Sequence, residues 1–110
     1  MKYFVGVDIG GTRLKAGLVD ETHRVCRQSV VWLKNEDKTE ERLLDHLGEI
    51  IREVASGHDP IIVGIGVPGI VVRAQGMVLR SPNFPAVANF RIQERLEQRI
   101  SWHVAVDNDA

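Results

Sequence analysis

Asp8-Ile9-Gly10-Gly11-Thr12 stands between two apolar runs, residues 3–7 and 14–19. These residue types suit phosphate. Adjacent glycines let backbone N–H groups approach a ligand with no side chain in the way, and they permit positive φ. A tight turn of this kind can form an anion-binding concavity. A carboxylate at its mouth would repel a bare phosphate, so Asp8 points to a phosphate that carries magnesium. The same residues also fit an ordinary hairpin turn, for which Gly-Gly is favoured. They do not form a Walker A loop: the Gly-Lys-Ser/Thr ending is missing, and a strand follows where a helix is required. A dinucleotide fingerprint fails for the same reason. Downstream, Asp107-Asn108-Asp109 pairs an amide with a carboxylate. Such a pair can bind a hydroxyl and take its proton, a general-base role worth about 10²–10⁴ in rate. A polar turn with Asx hydrogen bonds is the plainer reading of these three residues.

The elements between these two groups decide whether they meet. Residues 4–9 read as a strand apolar on both faces, hence central, and residues 14–19 as its hairpin partner. A polar turn at 20–22 leads to a third strand over 25–33, and 35–38 form a polar link. The hydrophobic period then changes from two to 3.6. Leu43, Leu44, Leu47, Ile50, Ile51, Val54 and Ala55 share one helical face. Thr39 is placed as its N-cap, with Glu40 and Glu41 where the helix dipole favours acids. Gly57 and Pro60 stop it. Residues 61–67 form a short continuous apolar run, as in a parallel strand covered on both faces. Residues 70–72 and 77–79 suggest a small hairpin, and 81–88 a loop held open by Pro82 and Pro85. Ile92, Leu96 and Ile100 mark a second helix, and 103–106 a last strand.

The expected order is β-β-β-α-β-(hairpin)-α-β, an α/β fold with a mixed five-stranded sheet. Helical crossovers make the first, fourth and last core strands parallel. Asp8, Pro68-Gly69 and Asp107-Asn108-Asp109 then all sit at carboxyl ends of parallel strands, beyond which open α/β sheets bind ligands. Convergence of three such turns on one cleft favours a phosphate site over a bland hairpin.

The bulk properties fit this picture. The chain has 110 residues, 44% hydrophobic and 26% charged, enough for one domain with a core. A net charge of −1 gives no reason to expect nucleic acid or a membrane surface as partner. No run is long and apolar enough to span a bilayer, and no signal peptide precedes the first strand. Cys26 is the one cysteine and reads as a buried or half-buried thiol, consistent with a reducing, cytoplasmic setting. His23, His46, His58 and His103 are scattered and read as surface residues, not metal ligands. Arg91, Arg95 and Arg99 alternate with Glu94 and Glu97, as on a solvated helix face. Arg13 and Lys15 flank the glycine turn on one strand face, where either could assist a phosphate or serve as plain surface.

Taken together, four stretches resemble the ROK family of bacterial sugar kinases and repressors. They are Asp8-Ile9-Gly10-Gly11-Thr12 with Leu18-Val19-Asp20, Gly64-Ile65-Gly66-Val67-Pro68-Gly69, Ser81-Pro82-Asn83 and Asp107-Asn108-Asp109-Ala110. Their order and spacing match the family across essentially the whole chain. The resemblance implies an actin-like ATPase fold of the ribonuclease H type. It also implies ATP-dependent phosphorylation of a hexose or amino-hexose, usually at the 6-hydroxyl. On that basis Gly10, Gly11 and Thr12 would form the phosphate loop, and Asp8 would act on Mg2+ through water. Gly69, Asn83, Asn108 and Asp109 would contact the sugar, with Asp109 as catalytic base; Asp107 receives no chemical role. Phe84-Pro85 is followed by Ala86-Val87-Ala88, without the tryptophan that many glucokinase-like members carry, which weakens the case for glucose specifically.

Kinases of the family continue into a second lobe that holds further sugar ligands, a cysteine-rich zinc motif and the adenosine site. The expectation is therefore an N-terminal lobe, inactive alone, with no zinc site within this chain. Apolar surface meant for the missing lobe would favour self-association, as in a homo-oligomer. A sugar-sensing regulator of the same family, or a non-catalytic sugar-binding lobe, is the alternative. No helix-turn-helix precedes the first strand, which favours the kinase. The sugar, and ATP against polyphosphate as donor, stay open.

Overall fold

A computed structural model describes residues 1–109; Ala110, the end of the Asp107-Asn108-Asp109-Ala110 stretch, lies outside the described residues. Five strands form the main sheet: β1 (Tyr3–Ile9), β2 (Arg13–Asp20), β3 (Val25–Trp32), β4 (Val63–Val67) and β8 (Val104–Asn108). Their order is β3-β2-β1-β4-β8. β1 is antiparallel to β2 and parallel to β4, and β4 is parallel to β8. Helix α1 (Glu40–Ala55) makes the first crossover and α2 (Ile92–Glu97) the second. A smaller sheet holds β5 (Ile70–Val72), β6 (Met77–Arg80) and β7 (Ala88–Phe90). The α/β class, the mixed five-stranded sheet and the parallel central strands agree with the sequence reading.

One face of the sheet makes the core. Val5, Val7 and Ile9 of β1, Leu14, Ala16 and Leu18 of β2, Val63, Ile65 and Val67 of β4, and Val104 and Val106 of β8 are buried. α1 packs across β1, β2 and β3, and α2 against β8. Seven apolar side chains of α1 join the same cluster, as the 3.6 period requires. The Thr39 hydroxyl accepts the Arg42 N–H at 3.2 Å, so the expected N-cap is formed. Gly57 takes φ of 80° just past the helix, a left-handed turn that ends it.

Several expectations need correction. β1 is central, but its second face is not apolar: Gly6 and Asp8 alternate with the buried valines and stay exposed. The segment 81–88 is not simply loop, since Ala88–Phe90 adds a third strand to the small hairpin. α2 ends at Glu97, earlier than Ile100. The polar link at 35–38 contains a buried acid. Asp37 accepts the Lys34 N–H at 2.8 Å, pairs with Arg42 at 2.8 Å and lies 3.1 Å from His46. The Lys34 amide, His46 and Arg42 hold its carboxyl well below the usual carboxylate range. His46 is therefore a structural partner and not a free surface residue. Arg95 and Arg99 reach back to Glu40, Glu41 and Asp45 of α1, tying the helices together where a solvated face was expected. Cys26 is exposed on β3.

The other sheet face is open. In register across four strands lie Gly17, Gly6, Gly64 and Ala105. A Cβ built at Gly6 would meet nothing within 4 Å.

Candidate active site

Three connections leave the carboxyl ends of the parallel strands, and they touch. The first is the turn after β1. Gly10 N–H donates to the Arg13 carbonyl at 2.8 Å, and the Thr12 carbonyl accepts Leu33 N–H at 2.8 Å. Of the three amides expected to face a phosphate, that of Gly10 is thus spent in closing the turn. Those of Gly11 and Thr12 are left without a partner among the described residues. Neither Gly10 nor Gly11 has positive φ, contrary to one reason given for glycine there. The requirement is space: a Cβ at Gly11 would stand 3.1 Å from the Asn83 Cγ.

That contact brings in the second element. Asn83 sits in a turn closed by Phe84 N–H on the Ser81 carbonyl at 3.2 Å, with Phe84 buried beneath it. Nearby, Gly69 follows β4 with φ of 140°, and a Cβ there would lie 2.2 Å from the Arg80 carbonyl oxygen. Only glycine fits this position, for both backbone and steric reasons.

The third element is the end of β8. The Asn108 side-chain amide donates to the Gly69 carbonyl. Asp109 N–H donates to the Val67 carbonyl at 3.1 Å. Asn108 N–H is held at 2.8 Å by Asp107, whose carboxylate meets Arg73 of the small hairpin at 3.4 Å. Gly66, part of the Gly64-Ile65-Gly66-Val67-Pro68-Gly69 stretch, also shapes the site. A Cβ there would lie 3.3 Å from the Asp109 Cβ, so its missing side chain makes room for Asp109. Gly66 also pairs in register with Asp8 of β1. Asp8 and Asp109 therefore flank the same glycine, both exposed and both without a side-chain partner among the described residues. The alternation of Gly64 and Gly66 with Val63, Ile65 and Val67 was the sequence signal for this opening.

The expected site residues thus fall into one neighbourhood. Asn83 joins the glycine turn, and Asn108 joins Gly69. Asp109 joins Gly66 beside Asp8. The arrangement offers free amides and a carboxylate at one side and an amide–carboxylate pair at the other. Among the described residues no three His, Cys, Asp or Glu side chains are grouped to hold a metal directly. Asp8 is a single exposed carboxylate, a donor set that fits magnesium carried mainly by a ligand's phosphates and water.

The sequence pattern of the ROK family matches residues 4–110. The glucokinase of Thermotoga maritima is 37% identical over 96% of this chain and 33% of its own length. A ROK family glucokinase from Streptomyces griseus, solved with glucose and AMPPNP, superposes with a TM-score of 0.88 at 35% identity, over 98% of this chain and 33% of that one. The ROK hexokinase of Thermus thermophilus gives a TM-score of 0.87 at 32% identity, over 98% of this chain and 35% of that one. The chain spans about a third of the length of these relatives.

Proposed function

The chain belongs to the ROK family, and we propose that it is the N-terminal lobe of a sugar kinase that moves a phosphoryl group from ATP to a hexose hydroxyl. The observation that supports this most directly is the meeting of three strand-end turns at one place. Asn83 lies against the glycine turn, and Asn108 is fastened to Gly69. The carboxylates of Asp8 and Asp109 stand on either side of Gly66. The fold class is that of ROK sugar kinases, the actin-like ATPase fold.

In this reading Gly69, Asn83, Asn108 and Asp109 hold the sugar. The Asp109 carboxylate accepts the proton of the attacking hydroxyl, the 6-hydroxyl of the hexose. The hydroxyl oxygen forms a bond to the terminal phosphorus as the donor's bridging P–O bond breaks. Gly10, Gly11 and Thr12 form the phosphate turn, with the Gly11 and Thr12 amides directed at phosphate oxygens. Asp8 would hold, through water, a magnesium carried by the donor, and that ion would neutralise phosphate charge. The second lobe supplies the nucleoside contacts, so the 110 residues alone turn over no hexose.

In the complete protein, Asp109→Asn lowers kcat about 10²–10⁴-fold while sugar binding by calorimetry persists. Unchanged turnover would remove Asp109 from the mechanism. Robust hexose phosphorylation by the 110-residue chain in a coupled assay would overturn the division of labour between lobes.

A further inference from the structure

Two cations flank the glycine turn on β2, and they are not equivalent. Arg13 lies opposite Trp32 of β3, and its guanidinium carbon sits 5.7 Å from the centre of that ring. A cation over an aromatic face is already engaged. Trp32 belongs to β3, the outer strand of the sheet, so Arg13 is drawn away from the central strands. Lys15 lies two residues further on. It is in register with Asp8 on one side and Val30 on the other. Its side chain is exposed and has no hydrogen-bond or ion-pair partner among the described residues.

A lysine directly across an antiparallel pair from an aspartate would ordinarily be read as a cross-strand ion pair. Here no such pair forms between Lys15 and Asp8. Both instead line one shallow hollow on the open sheet face, together with Gly6, Gly17 and Gly64. Val19, Val25 and Gln28 also line the hollow, and neither Asp8 nor Lys15 has a side-chain partner there among the described residues. The row continues through Gly66 to Asp107, and Asp109 stands over Gly66. A compact ammonium with three donors suits phosphate oxygens as a point charge.

We propose that Lys15, and not Arg13, is a donor-binding residue of this site. Its ammonium receives the terminal phosphates of a polyphosphate chain beside the magnesium that Asp8 holds. The inference rests on the phosphate-turn reading above and adds the cation that reading left unassigned. The ligand chemistry is shared by a nucleoside triphosphate and an inorganic polyphosphate, because Lys15 meets only the phosphates.

The test titrates the complete protein by calorimetry with MgATP and, separately, with magnesium tripolyphosphate. Lys15→Gln weakens both about tenfold or more, the scale of losing a charge-assisted hydrogen bond. Lys15→Arg keeps affinity within about threefold, as does Arg13→Gln, and thermal melts of all three variants match the parent chain. Lys15→Gln binding both ligands as the parent does, while Asp8→Asn loses them, would overturn the role of Lys15 and leave the phosphate turn intact. A loss confined to MgATP would also overturn it, because Lys15 would then be serving the nucleoside. Failure of the complete parent protein to bind either ligand would overturn the phosphate-turn reading and this inference with it.

Discussion

The two faces of the main sheet obey opposite rules. On the inner face Val5, Val7 and Ile9 of β1, Leu14, Ala16 and Leu18 of β2, and Val63, Ile65 and Val67 of β4 are buried, with α1 packed across β1 and β2. On the outer face Phe4 and Val19 give way to Gly6, Gly17, Gly64 and Gly66, with Asp8 and Lys15 toward the carboxyl end. The first face is shaped by what fills it. The second is shaped by what has been left out, and the chemistry-bearing residues stand at its end. Packing therefore dominates one side of the backbone and the proposed phosphate chemistry the end of the other, and a substitution should act according to which side it faces.

Leu47 of α1 is fully buried against the inner face. Leu47→Ala should remove about 2–5 kcal/mol, measured by denaturant unfolding. That is a large part of the stability of a domain this size. A loss well under 1 kcal/mol would mean that the inner face is not the main source of stability. Gly69 tests the site end. Its φ of 140° and the 2.2 Å approach to the Arg80 oxygen give Gly69→Ala a cost of about 1–3 kcal/mol. The same unfolding experiment reads it, and a neutral result would show that this turn relaxes freely.

Asp37 supports the inner layer through an acid held ionised. Because its folded pKa lies below the unfolded value near 3.8, its contribution is present above that value and is lost as the pH falls below it. Asp37→Asn should therefore lower stability at neutral pH and flatten the decline in stability below about pH 4. Parallel acid denaturation curves for the two proteins would exclude that role. The smallest effect is expected on the outer face. Gly6→Ala enters open space and should change stability by less than about 1 kcal/mol in either direction. A cost of several kcal/mol, seen in the same denaturant series, would show that this face is covered in solution.

The sequence made the inner face legible because burial leaves a period. Leu43 to Ala55 could only be a helix packed on one side, and Thr39 announced its start. The convergence of Asp8, Gly69 and Asp109 followed from strand order alone. The outer face was harder, because β1 was read as apolar on both sides when Gly6 carries no side chain to bury. The strand Ala88–Phe90 escaped notice for a different reason. It is three residues long, and Asn89 within it has φ of 48°, so neither length nor period marks it. Asp37 looked like part of a polar link because an acid's burial depends on partners that sequence does not display, here Arg42, His46 and the Lys34 amide. At the glycine turn, the backbone freedom expected of glycine is not the property the structure uses. Backbone freedom is used at Gly69, whereas Gly11 is needed for the proximity of Asn83.

The placement of the two tryptophans has a practical consequence. Trp32 is 68% exposed beneath Arg13, one residue before Leu33, whose N–H holds the Thr12 carbonyl of the glycine turn. Trp102 lies at the opposite end of the sheet, just before β8, packed against the core and donating to Asp59. Their fluorescence is therefore separable in origin. A ligand settling at the turn should alter the emission of Trp32 with Trp102 unmoved, and unfolding should shift Trp102 to the red. With Trp32→Phe and Trp102→Phe as single-tryptophan versions, one indole reports occupancy and the other reports folding, with no dye attached.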